Sequence, residues 1–214
     1  RLAELRRLTS HGEAVAGAWH PDGRRVIYER RRDGGCGRLV ELDLISGKER
    51  PLTSEDGWGS LGGVGQRAMV YAFARGVTAC PAIGEVTRRF PETHVHARGD
   101  DGEPRPLVTE GSYAGEPSLS PDGRMFVYTG VAADDPDLFL AATDDSSTAT
   151  RIVDATGYDG GAVFSPDGSR IAWHGERPAR DAAEGYAEKV KAGGVALSGL
   201  RVFALYNLNT ESLS

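Results

Sequence analysis

The tripeptide Pro-Asp-Gly occurs three times, each time ahead of an apolar run. The copies read His20-Pro21-Asp22-Gly23-Arg24-Arg25-Val26-Ile27-Tyr28, Ser120-Pro121-Asp122-Gly123-Arg124-Met125-Phe126-Val127-Tyr128 and Ser165-Pro166-Asp167-Gly168-Ser169-Arg170-Ile171-Ala172-Trp173. A degenerate copy, Gly63-Val64-Gly65-Gln66-Arg67-Ala68-Met69-Val70-Tyr71, keeps the apolar end and lacks the turn residues. Proline presets φ for the first turn position, aspartate braces the turn, and glycine takes positive φ without steric penalty. The strands on either side of such a turn make a hairpin. The copies begin at residues 20, 63, 120 and 165, steps of 43, 57 and 45. A period of about 40 to 50 residues suits a propeller blade of four strands.

A second hairpin follows each first one. It reads Leu39-Val40-Glu41-Leu42-Asp43-Leu44, then Ser46-Gly47-Lys48, then Arg50-Pro51-Leu52-Thr53. Later versions fall at residues 95–109, 138–153 and 201–207, with apolar residues alternating before a polar turn. Two hairpins per period give one blade. The chain therefore reads as a single all-β propeller domain over 1–214, with blade repeats at approximately 10–53, 54–109, 110–153 and 154–214. Residues 179–192, rich in Ala, Glu and Lys with Tyr186 and Val190 four apart, interrupt the last repeat and predict one short inserted helix.

The Pro-Asp-Gly hairpin, followed by a Ser-Gly-Lys or Asp-Asp turn and a Leu-Thr ending, resembles the PD40 (WD40-like) repeat of TolB-like β-propellers. The run Gly157-Tyr158-Asp159-Gly160-Gly161-Ala162-Val163-Phe164 before the last Pro-Asp-Gly is similar to exported members of that group. The resemblance is strong over 10–53 and 110–175 and weaker over 54–109. It implies a propeller that usually closes with about six blades, of which about four are recognisable here, and a periplasmic or secreted protein, with a cytoplasmic one as the alternative.

Near its start the chain reads Leu5-Arg6-Arg7-Leu8-Thr9, which matches the blade ending Arg50-Pro51-Leu52-Thr53. Residues 3–9 are thus expected to be a closing outer strand beside 201–214. Closure would come within the chain, through further blades, or by self-association with a second copy. Arg1 is followed by no apolar leader stretch, so a leader is expected to have been removed or never to have existed.

Charge and hydropathy narrow the partners. With 25 Lys and Arg against 31 Asp and Glu the net charge is −6, which argues against nucleic acid and anionic membranes. No apolar run reaches the ~20 residues that span a bilayer. Cys36 and Cys80 are the only cysteines, and spacing leaves a disulfide and two free thiols both open.

No complete catalytic constellation is present. Gly111-Ser112-Tyr113-Ala114-Gly115 puts its serine one position early for a nucleophile elbow. His94 and His96, at i and i+2, share a strand face and form a candidate metal pair, a divalent ion being the one cofactor the residues suggest. Asp134, Asp135, Asp137, Asp144 and Asp145 form acidic turns that could hold a hard cation but lack a recognised loop spacing. Trp58, Tyr113 and Tyr158, with Asp159, recur where each repeat enters its inner strand. They are the candidate ligand- or partner-binding residues. The reading is a non-enzymatic scaffold that binds a protein or small-molecule partner at the channel face. The alternative is a propeller hydrolase, lyase or cyclase with its site in the channel mouth.

Overall fold

A computed structural model describes residues 6–9, 11–31, 35–77, 80, 87–88, 90–99, 102–132, 135–179, 185–192, 194–196 and 200–205. The first sheet comprises β1 (Glu13–Trp19), β2 (Arg25–Arg31), β3 (Arg38–Asp43) and β4 (Glu49–Pro51), paired in that order. Next come β5 (Gly57–Val64), β6 (Met69–Arg75), β7 (Thr87–Arg88), β8 (His94–Arg98) and β9 (Arg105–Val108). The second sheet is β5-β6-β8-β9, and β7 stands apart from it. The third sheet is an antiparallel meander of β10 (Ala114–Leu119), β11 (Met125–Ala132), β12 (Asp135–Ala142) and β13 (Thr150–Arg151). The fourth holds β14 (Asp159–Phe164), β15 (Ile171–Gly175) and, after an insertion carrying α1 (Tyr186–Lys191) and β16 (Val195–Ala196), β17 (Arg201–Leu205).

Each turn folds as its residues dictate. Gly23, Gly123 and Gly168 have φ of 66°, 74° and 73°. The aspartate before each accepts the next backbone N–H, as Asp122 Oδ1 does from Arg124 at 3.0 Å and Asp167 Oδ1 from Ser169 at 3.0 Å. The degenerate copy still turns, with Gly65 N–H bonded to the Ala68 carbonyl at 2.9 Å.

The second strands of the first three sheets are apolar in consecutive positions because both their faces are covered. By contrast, β15 of the fourth sheet buries Ile171 and Trp173 on one face and exposes His174 on the other. Ile27, Leu39 and Leu52 meet Met69 and Tyr71 between sheets one and two. Val70, Val95 and Leu107 meet Ala114, Phe126 and Tyr128 between sheets two and three. Val127, Leu138 and Leu140 meet Ala162, Ile171 and Trp173 between sheets three and four. Neighbouring residues such as Val70 and Tyr71, or Phe126 and Val127, thus serve opposite interfaces, which is the face-to-face stacking of propeller blades. Each inner strand carries a bulge, in β10 between Gly115 and Ser118, where Glu116 has a φ of 50°.

Of the predicted 179–192, the described part contains one helix. It spans Tyr186–Lys191, with Tyr186 and Val190 buried as their spacing implies, while 180–184 lie outside the described residues. Of the expected closing strand, residues 6–9 carry no strand. The rest of it, and 206–214 of its expected partner, lie outside the described residues.

Candidate functional site

The two ends of the stack differ. At one end the β1–β2 and β3–β4 turns lie together, as the Leu44 N–H to Arg24 carbonyl bond (3.0 Å) and its equivalent from Thr143 to Arg124 (2.8 Å) show. At the other end the connections between second and third strands, long in sheets two and four and two residues in sheet three, meet the loops that enter each inner strand. Gly76 N–H bonds the Asp56 carbonyl (2.6 Å), Val131 that of Tyr113 (3.2 Å) and Glu176 that of Tyr158 (2.8 Å). Asp56, Tyr113 and Tyr158 are therefore structural equivalents.

At this connection end, three segments far apart in sequence are tied together. Cys36, between β2 and β3, forms a disulfide with Cys80, between β6 and β8, which closes the alternative the sequence left open. The β6–β8 connection contains β7, and β7 pairs antiparallel with β16 of the fourth-sheet insertion, Val195 opposite Arg88 and Ala196 opposite Thr87. This ribbon bridges sheets two and four past the connection end of sheet three. Beneath it Phe90 and Val131 pack with Tyr158, Tyr186 and Val190. Phe90 meets the Tyr113 ring edge-on at 5.1 Å. Helix, ribbon and Phe90 form a cap.

The expected aromatics fall into two kinds. Trp58 and Tyr113 are half-buried. Tyr158 is 1% and Asp159 0% exposed, so both are committed to the interior and offer no surface to a partner. The Tyr158 ring turns back under Gly160, leaving no room for a side chain there, and its hydroxyl donates to Glu116 Oε2 at 2.7 Å. Asp159 Oδ1 accepts from the Trp173 indole (2.6 Å) and from Arg177 (2.8 Å). Trp58 lies against Glu29 of the first sheet, whose carboxyl burial pushes up while Arg31 and the indole N–H pull it down.

Next to Asp159 lie carboxylates of β12. Asp137 is fully buried and accepts from Arg151 through Oδ2. Asp135 Oδ1 accepts the Gly157 N–H at 3.2 Å. Burial raises Asp137 to about 7, reinforced by the Asp135 charge and opposed by Arg151. Burial likewise lifts Asp135 to about 6 and raises Asp159, with Arg177 and Trp173 opposing the latter. The sequence offers Asp134, Asp135 and Asp137 as an acidic turn that could hold a hard cation; Asp135 and Asp137 instead lie on strand β12, and Asp134 lies outside the described residues. The approach of Asp159 from 22 residues away depends on blade stacking and left no local signal.

His94 and His96 do share a face of β8. His96 stacks on Tyr71 at 5.4 Å, and burial lowers its pKa; His94 lies 3.8 Å from Glu92. Among the described residues, no group of three His, Cys, Asp or Glu side chains is placed to hold a metal ion.

Comparison with known proteins agrees with this architecture. No family model and no curated protein matches the chain. Among solved structures, a TolB from Agrobacterium tumefaciens superposes with a TM-score of 0.64 at 17% identity, over 92% of this chain and 64% of that one. TolB from Acinetobacter baumannii gives 0.62 at 14% identity, over 92% and 41%. An oligogalacturonate lyase in complex with manganese gives 0.58 at 16% identity, over 79% and 49%. The chain spans less than two thirds of each of these, and the fold serves both enzymes and non-enzymes. No helix among the described residues is long and apolar enough to cross a membrane. The fold of this chain is that of the TolB-like β-propellers.

Proposed function

We propose that this chain is a non-enzymatic propeller scaffold that takes a protein or small-molecule partner at its connection end, beside the cap. The observation that carries the reading is the asymmetry of the ends. Tight turns finish one end, whereas the other gathers a disulfide, a cross-sheet ribbon and an aromatic cluster. Such insertions on a rigid scaffold are where binding surfaces concentrate. Tyr113 and Trp58, half-buried there, are the contacting aromatics. Tyr158 and Asp159 act from below by holding the loop that leads into β14. Val163 and Val202, 55% and 74% exposed on the fourth sheet, mark the flank on which a further sheet of the ring, or a second copy, would stack. The Cys36–Cys80 disulfide supports an oxidising compartment, periplasmic or secreted, as part of this reading.

The test uses a photo-crosslinking amino acid at Tyr113 and, for comparison, at Ile45, which is 77% exposed on the turn end. Discrete adducts in the native host from position 113 and not from 45 are expected. Adducts from 45 alone, or substrate turnover abolished by changes at the connection end, would replace the scaffold reading.

A further inference from the structure

Under the cap, the polar side chains do not balance. Asp135, Asp137 and Asp159 face Arg151 and Arg177, and Arg151 also bonds Asp154 at 2.9 Å. Asp137 Oδ1 and Asp159 Oδ2 are buried and have no hydrogen-bond partner among the described residues. The same holds for the hydroxyl of Tyr186, a residue only 7% exposed, which α1 lowers toward Asp135 and Asp159. An ionised oxygen buried without a donor is expensive, and a proton shared within such a group turns one acceptor into a donor.

We propose that Asp135, Asp137 and Asp159 form a proton-operated clasp that keeps the cap seated while the cluster holds a proton and loosens it when all three are ionised. The clasp rests on the packing beneath α1 and is independent of the partner reading. Facing the cluster from the elements packed on it are Arg151 from β13, Glu116 from β10 through the Tyr158 hydroxyl, Glu176 and Arg177 after β15, and Tyr186 from α1. Glu188, Lys189 and Lys191 of α1 are exposed.

The raised carboxyls put the transition near neutrality, with Asp135 at about 6 and Asp137 at about 7. Full ionisation then places three negative charges against two guanidiniums, directly below a helix of six residues. Repulsion and the need for water both favour lifting that helix. The amides that report it are Lys189, Ala192 and Gly194, bonded to the carbonyls of Gly185, Glu188 and Lys189.

The experiment is hydrogen–deuterium exchange on the intact chain at about pH 5 and about pH 8.5, corrected for intrinsic rates. One pKa unit corresponds to a tenfold change in an equilibrium. Protection of the α1 amides is therefore expected to fall about tenfold or more at the higher pH, while Val127 in the core is unchanged. Asp137→Asn keeps an acceptor for Arg151, adds a donor and removes the titration, so its cap should stay protected at both values. Asp135→Asn is the second variant should the first fail to fold. Equal cap protection at both pH values in the wild type, or an undiminished pH response in the asparagine variants, would overturn the clasp.

Discussion

The Tyr158 hydroxyl donates to Glu116 Oε2 at 2.7 Å, joining the inner strand of sheet four to the bulge in the inner strand of sheet three. The same oxygen accepts the Gly161 N–H at 2.9 Å and the Thr129 hydroxyl at 3.1 Å. Glu116 holds this position with a φ of 50°, where Gly161 of the next bulge has 61°. A non-glycine residue there stores strain of about 1–3 kcal/mol, which the three donors offset. Tyr158→Phe removes one of them within a buried contact and should cost about 1–3 kcal/mol, read as a fall in the urea midpoint. An unchanged midpoint would mean that the other two donors suffice to hold Glu116.

The disulfide spans 44 residues, from Cys36 to Cys80. By loop-closure entropy such a link stabilises by about 4 kcal/mol. Cys36→Ser with Cys80→Ser should lower the melting temperature markedly, and reduction of the wild-type chain should reproduce the loss. Equal melting in the presence and absence of reductant would show that the cap holds without its covalent tie.

Gly123 and Gly160 should respond differently to alanine. A Cβ on Gly123 meets nothing within 4 Å, so Gly123→Ala has only its φ of 74° to overcome, about 1–2 kcal/mol. A Cβ on Gly160 falls 2.2 Å from the Tyr158 hydroxyl and 2.3 Å from Glu116 Oε2. That substitution breaks the inter-sheet tie and should cost more than the turn variant. Comparing the two by chemical denaturation checks the order.

Two sets of carboxyls pull stability in opposite directions with pH. Asp135 and Asp137, raised to about 6 and about 7, hold protons that the unfolded chain has already released. Stability from them is complete below about 4 and declines as pH rises toward 7. In the turns, Asp167 is lowered to about 2 by the Ser165 hydroxyl and the Ser169 N–H. Asp43 is lowered to about 2 by the Ser46 N–H despite some desolvation, with Arg24 assisting. Their contribution is present above about 4 and lost as pH falls toward 2. Denaturation midpoints across pH should therefore peak on the mildly acidic side, between about 4 and 6. A maximum above about 7 would show that the buried aspartates are ionised at no cost.

Turns and strand order are legible in the sequence because they depend on residues next to one another. Pro-Asp-Gly specifies its own hairpin, and consecutive apolar residues such as Phe126 and Val127 reveal a strand covered on both faces. Tyr186 and Val190, one helical turn apart, announce the buried side of α1. The sequence aligns Trp58 with Tyr113 and Tyr158, but strand register puts Asp56 in that place and Trp58 two residues further on, because the bulged inner strands shift the frame that residue order alone suggests.

What lies between blades is not local. The Cys36–Cys80 bond, the β7–β16 ribbon and the meeting of Asp137 with Asp159 join segments separated by 22 to about 110 residues, and their proximity follows from how the sheets stack. Burial of Tyr158 is decided there too: an aromatic in a loop reads as a surface residue until the neighbouring sheet supplies Glu116 for its hydroxyl. Residue order is enough to dictate the repeated hairpins and the apolar side chains that the first three sheets bury on both faces. Which connections meet over sheet three is settled by the stacking, because separate hairpins hold their ends apart and only stacked sheets bring them within hydrogen-bonding reach.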